Sequence, residues 1–307
     1  MKITITLLSI TLVFSFYSCS SGTKKDASGK LNVVTTTTMI TDMVKEIGGD
    51  ALKVEGLMGA GVDPHLYKAS EGDVNKLYHA DVVIYSGLHL EGKLVDVFEK
   101  MEHQGIKMVA ITDTFEKGDL ISSEYFASNY DPHIWFDISL WKKASAFVAN
   151  KLAITDPDNK KLYFTNLEKY LVRLDSTEKF IRSRIDELPV DKRILITAHD
   201  AFNYFGKAYR FEVIGLQGIS TASEAGVQDV QNLAGLIVER KVKAIFIESS
   251  VPKRNIEALQ AAVKSKGLEV IIGGQLFSDA CGDAGTFEGT YIGMFLYNVN
   301  TIVDALK

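Results

Sequence analysis

Asp-Pro-His occurs twice in this chain, at Asp63-Pro64-His65 and Asp131-Pro132-His133. In each copy the proline fixes its own φ and biases the aspartate before it toward extended backbone, so the histidine is presented from a stiffened loop. A third histidine stands in Thr197-Ala198-His199-Asp200, and a carboxylate in Phe277-Ser278-Asp279. Imidazoles suit zinc and several other divalent metals, and three of them with one carboxylate make the closed tetrahedral set that zinc favours. Manganese prefers oxygen donors and usually more of them, which a bidentate Asp279 would begin to supply. The sequence is therefore read as one metal site of His65, His133, His199 and Asp279, with zinc (Zn2+) favoured and manganese (Mn2+) the alternative.

Other groups near these motifs have assignable roles. Glu248 ends a strand run and can accept the second ring N–H of a ligand histidine, fixing its tautomer; the competing role is a solvated strand-end carboxylate. Glu248 or Asp200 would be the base of a zinc hydrolase if three ligands left a position open for water. A fourth protein ligand argues against that chemistry, and no catalytic residue is assigned. Cys281 follows Asp279 closely and is weighed as a thiolate ligand, against the commoner role of a small buried hydrophobe. His79 and His103 sit at helix ends as partners for the helix dipole. His89, in Gly87-Leu88-His89-Leu90-Glu91, is read as a loop-packing group or a partner of the ligands.

These residues need elements to hold them. From Leu31 onward, short β-rich runs alternate with helical patterns, the signature of parallel sheets flanked by helices. The first half has runs at Leu31–Thr37, Lys53–Leu57, Asp81–Tyr85 and Lys107–Ile111, with helices near Met39–Ile47, Glu71–His79 and Leu94–Glu102. The second half has runs at Arg193–Thr197, Phe211–Gly215, Ala244–Ile247 and Leu268–Ile272, with helices near Val227–Lys241, Arg254–Lys266 and Phe287–Leu306. Between them, Leu167, Leu171, Leu174, Ile181, Ile185 and Leu188 keep a helical stripe, interrupted at Glu178 and ended by Pro189. At 1.5 Å per residue that helix would run on the order of 40 Å; the alternative is two shorter helices with a kink. The expected architecture is an N-terminal α/β lobe over 31–157, one long linking helix over 158–188 and a C-terminal α/β lobe over 189–307. Ligands bind parallel α/β sheets at the carboxyl ends of their strands, so the metal site falls in the cleft between lobes.

Composition restricts the class. Of 307 residues, 46% are hydrophobic and 24% charged, the balance of a globular protein of about two domains. Basic side chains number 34 against 39 acidic, too few for a nucleic-acid-binding face. Residues 1–18 carry one charge, Lys2, and then an apolar run too short to span a bilayer comfortably, which reads as an export signal rather than a membrane anchor. Cys19 follows that run and precedes a polar stretch over 19–30, an arrangement that resembles a bacterial lipoprotein signal. The usual pattern has leucine three residues before the cysteine, where this chain has Phe16. In that resemblance Cys19 becomes the lipidated first residue, and Cys281 is left without a disulfide partner.

Taken together, Asp63-Pro64-His65, Gly87-Leu88-His89-Leu90-Glu91-Gly92, Asp131-Pro132-His133-Ile134-Trp135, Thr197-Ala198-His199-Asp200-Ala201-Phe202, Gly218-Ile219-Ser220 and Leu276-Phe277-Ser278-Asp279 resemble the zinc- and manganese-binding solute receptors of bacterial ABC importers. The resemblance runs over nearly the whole chain after its leader. It implies two lobes on one backbone helix, the metal between them, and His65, His133, His199 and Asp279 as the ligands. It implies as partners an ABC permease and its ATPase, and a membrane reached through the lipid. The expected protein is a non-catalytic monomer, facing the periplasm or the cell exterior. Manganese receptors of that family often carry glutamate at the third ligand position, whereas this chain has His199. Many dedicated zinc receptors carry a His-rich loop before the second Asp-Pro-His, and Thr112–Tyr130 here has no histidine. Receptors of this kind are sometimes described as adhesins, but no separate adhesive module or repeat stands in the sequence.

Overall fold

A computed structural model of the chain describes residues 29–124 and 126–307. The leader expected over 1–18, the lipidation site Cys19 and most of the polar linker lie outside the described residues. Among the described residues no helix is long and apolar enough to cross a membrane.

The first half is built on a four-stranded sheet of β1 (Leu31–Thr35), β2 (Leu52–Gly56), β3 (Val82–Tyr85) and β4 (Lys107–Ala110), in the order β2-β1-β3-β4. All its pairs are parallel. The apolar runs of β1 and β3 sit inside the sheet and are almost wholly buried, as parallel strands covered on both faces must be. Helices α1 (Thr38–Gly48), α2 (Glu71–Tyr78) and α3 (Val95–His103) make the connections. α2 starts at a capping box, in which Ser70 Oγ accepts the Asp73 N–H at 3.2 Å and Asp73 Oδ2 accepts the Ser70 N–H at 3.0 Å.

Two helices lie between the strands of the two halves, and the second joins them. α4 (Ile138–Thr155) was not singled out by the strand–helix alternation, because its buried face is broad and includes Ala144, Ser145 and Ala149 among larger residues. Its amino end is capped by Asp137, whose carboxylate accepts the Ser139 N–H at 2.7 Å. A 3-10 turn at Pro157–Asn159 leads into α5 (Lys160–Ile185), an unbroken helix of 26 residues and about 39 Å. The single long helix is as the stripe implies, and the alternative of two shorter helices with a kink does not arise. Tyr163, Leu167, Tyr170, Leu174, Thr177, Ile181 and Ile185 form the buried stripe, with Thr177 in place of an apolar residue and its hydroxyl donated to the Arg173 carbonyl at 2.8 Å.

The second half holds β5 (Ile194–His199), β6 (Glu212–Gln217), β7 (Ala244–Glu248) and β8 (Ile271–Leu276), with α6 (Asn203–Tyr209), α7 (Val227–Arg240), α8 (Arg254–Ser265) and α9 (Tyr291–Leu306). β5 pairs parallel with β6, β7 parallel with β8, and β5 lies beside β7. The last strand starts three residues later than the apolar run at 268–272 suggests, and continues through Gly273 and Gly274. The glycines form a bulge: Ile245 pairs with Ile272, then Ile247 with Gln275. Gly274 has φ +146°, and a Cβ there would stand 2.5 Å from Thr301 of α9. The bulge thus lets α9 lie directly on the strand that leads to Asp279.

One apolar core runs through both halves, including Met43 of α1, Trp141 of α4, Leu174 of α5 and Phe295 of α9. The rings of Trp141 and Tyr291 stack with centroids 4.6 Å apart, and Trp141 Nε1 donates to Tyr170 OH at 3.0 Å. A stacked pair of this kind contributes about 0.5–1.5 kcal/mol beyond its burial. It pins α4, α5 and α9 together beneath the cleft.

Candidate metal centre

Loops at the carboxyl ends of the strands bring four of the sequence-selected side chains to one point. His65 follows β2, His133 follows β4, His199 is the last residue of β5, and Asp279 follows β8. All four are buried, and their candidate ligand atoms lie within 4.8 Å of one another. His65 Nε2 is 3.4 Å from His133 Nε2. His199 Nε2 is 3.3 Å from Asp279 Oδ2, and His133 Nε2 is 3.5 Å from Asp279 Oδ1. Tetrahedral ligands held 2.0–2.1 Å from a metal stand about 3.3 Å from each other; three of these pairs are near that spacing, and His65 Nε2 is 3.9 Å from Asp279 Oδ2.

The polar accounting agrees. His199 Nε2 and both carboxylate oxygens of Asp279 are buried without a hydrogen bond, a costly state for groups that nothing binds. Asp279 turns one oxygen toward His133 and the other toward His199 and His65. It can therefore hold an ion through one oxygen or both.

The outer atoms of two rings are fixed by carboxylates. Glu248, the last residue of β7, takes the His199 backbone N–H on Oε1 at 2.9 Å and faces His199 Nδ1 with Oε2 at 2.5 Å. Asp131 does the same with one oxygen: Oδ1 accepts the His133 N–H at 2.9 Å and meets His133 Nδ1 at 2.7 Å. In both Asp-Pro-His motifs the aspartate folds back onto the N–H two residues on, at 2.8 Å from Asp63 Oδ1 to His65. Sequence reasoning credited the prolines with stiffening these loops and overlooked the aspartates. The signal was present, since Asp two residues before a fixed residue favours this turn.

Electrostatics divides the histidines. Burial pushes His65 down to about 3, so it is neutral and its lone pair is free for a metal. Burial also pushes His199 down, but Glu248 and Asp279 outweigh it and hold this imidazole well above the ordinary histidine value. Burial would raise the Asp279 carboxyl; the facing His199, then His133 and His65, outweigh that and keep it ionised far below the usual carboxylate range.

The remaining candidates lie elsewhere. Cys281 is buried with its N–H donated to Thr38 Oγ1 at 2.7 Å, and burial pushes its thiol up to about 12. That inert thiol is outside the cluster. His89 is exposed, and its ring stands 6.4 Å from Phe126, whose other neighbour is the His65 ring at 6.3 Å. Asp200 is half-buried, and burial raises its carboxyl.

Parallel α/β halves closed around a buried polar cluster, and joined by a long helix, define a two-lobed solute receptor. Residues 33–305 match the family model described as zinc-uptake complex component A, periplasmic, and the chain belongs to that family. It is 46% identical over 300 residues to the zinc-binding protein TroA of Treponema pallidum, covering 98% of this chain and 96% of TroA. It is also 46% identical over 304 residues to the manganese-binding lipoprotein MntA of Bacillus subtilis, covering 98% and 99% of the two chains. The solved structure of periplasmic zinc-binding TroA superimposes with a TM-score of 0.88 at 48% identity, over 91% of this chain and 99% of that one. Members of this family are substrate-binding components of metal ABC transporters and not enzymes; they work with a permease and an ATPase.

Proposed function

We propose that this protein captures one divalent transition metal ion, zinc in preference to manganese, on His65, His133, His199 and Asp279 and delivers it to an ABC permease driven by a cytoplasmic ATPase. The observation that carries this reading is the set of buried, unpartnered donor atoms on His199 and Asp279, facing two further imidazole nitrogens across a gap the size of a metal ion. Three imidazoles with a carboxylate favour zinc. Manganese is the second reading, supported by the two unpartnered oxygens of Asp279, which would give a fifth donor. Glu248 supports the site by orienting His199.

Residues 1–18 are proposed as an export signal and 19–30 as a linker anchored through lipid on Cys19. Residues 31–157 and 189–307 are proposed as the two lobes, with 158–188 as the connector. The mature protein is then a monomer held at a membrane, facing the periplasm or the cell exterior. The name of MntA as a lipoprotein supports that anchoring.

Elemental analysis of the protein as isolated, followed by competition of zinc and manganese at defined free concentrations, tests the metal assignment. We expect one ion per chain, tighter binding of zinc, and its loss in Asp279→Ala with the fold retained. A chain that binds neither ion in this pocket would overturn the receptor reading.

A further inference from the structure

The four candidate ligands are not anchored alike. The His133 loop comes from the first half, yet it is bolted to the second. Asn203 Nδ2 donates to Asp131 Oδ2 at 3.1 Å and Tyr204 OH to the Asp131 carbonyl at 2.9 Å. Trp135 Nε1 donates to the Ser278 carbonyl at 2.9 Å, and Tyr291 OH to the Trp135 carbonyl at 2.7 Å. The Asp279 loop is clamped in turn by Asn298, which bonds both the N–H and the carbonyl of Phe277, at 2.9 Å and 2.7 Å. His199 lies within β5 and is held at both ends by Glu248. These three ligands share one hydrogen-bonded scaffold.

His65 stands apart. Among the described residues nothing is hydrogen-bonded to its Nδ1, whereas the rings of His133 and His199 each have a carboxylate there. Its loop reaches the second half through a single hydrogen bond among the described residues, from Thr221 Oγ1 to Asp63 Oδ2 at 2.5 Å. The other oxygen of Asp63 accepts the His65 N–H. Thr221 is buried in the loop after β6, 158 positions from Asp63. A hydroxyl donated to a carboxylate is among the stronger neutral-donor contacts, and here it fixes the turn that aims His65.

We propose that Thr221 is a latch on Asp63 that keeps His65 on the metal, and that His65 is the ligand that leaves first on release, from a platform of His133, His199 and Asp279. This rests on the metal-receptor reading above. Thr221 is a positioning residue, and it acts on escape of the ion rather than on its arrival. Opening the latch unhooks one ligand and leaves three in place, so release begins without dismantling the scaffold.

The test uses the full chain loaded with zinc and mixed with excess EDTA, with the dissociation rate followed by stopped flow. Thr221→Val should release zinc on the order of tenfold faster, with the association rate and the metal-free Tm unchanged, and Thr221→Ser should restore the slow rate. His65→Ala should still hold one zinc ion per chain at a concentration where His133→Ala holds none. Wild-type dissociation from Thr221→Val would overturn the latch, as would a lowered metal-free Tm with no change in rate. Equal loss of zinc from His65→Ala and His133→Ala would overturn the platform. A wild-type chain that binds neither zinc nor manganese would instead remove the receptor reading, and the latch with it.

Discussion

Glu248 grips His199 at two points, the backbone N–H on Oε1 at 2.9 Å and the ring Nδ1 on Oε2 at 2.5 Å. One carboxylate therefore sets where the residue sits and which way its ring turns. Removing such a partner from a metal-bound histidine typically weakens metal binding 10–100-fold. We expect Glu248→Ala to fall in that range and Glu248→Gln between it and wild type, read by chelator competition. Unchanged affinity in both would mean that β5 alone orients the imidazole.

The same carboxylate, with Asp279, raises the pKa of His199. The sign follows directly. A metal ligand must be free of its proton, so any proton that the two carboxylates favour on His199 has to leave as the ion enters. Calorimetry in buffers of different ionisation enthalpy should report net proton release on metal binding. Affinity should rise with pH across the neutral range, because deprotonated ligands bind the ion. An affinity independent of pH, with no proton released, would show that the ligands meet the metal already neutral.

Asp42, on α1, accepts the Tyr291 N–H at 2.9 Å, and burial pushes its carboxyl up to about 6 despite that bond. A raised acid is ionised at a penalty in the folded chain. That penalty is complete above pH 6 and disappears as the pH falls toward 4. Asparagine keeps an acceptor for Tyr291 without the charge. Asp42→Asn should therefore stabilise the protein at pH 8 by about 1 kcal/mol, a figure discounted because the residue is only half-buried. Denaturant titrations at pH 8 and pH 4 should show the gain at the higher pH alone.

Gly274 stands where the β8 bulge meets α9, with φ +146° and Thr301 in the space of a Cβ. Gly274→Ala combines backbone strain with overpacking and should cost on the order of 2 kcal/mol. A drop in urea midpoint with unchanged slope would confirm it; an unchanged midpoint would mean that α9 shifts freely.

The strand–helix alternation made the two-half architecture legible, because each parallel strand is a short apolar run ended by polar turns. The histidines were legible because proline and strand-end positions mark them. The supporting groups differ in kind. Asp63 and Asp131 act on residues two positions away, so a local pattern announces them. Thr221 and Trp135 act across the cleft, at separations of 158 and 143 residues, and no local periodicity encodes such pairs. The stripe of α4 is diluted by small residues, and β8 lies later than its apolar run because it continues through the glycine bulge.

The packing around α5 has a consequence for the chain as a whole. α5 lies against α1 and α4 on one side of the connection and α9 on the other, and the apolar cluster it organises draws from both halves. Each half also has a smaller apolar cluster of its own, but the largest one is shared. Expressed separately, each would present to water the flank that the other now covers, so the intact molecule should melt as one cooperative body instead of in two stages.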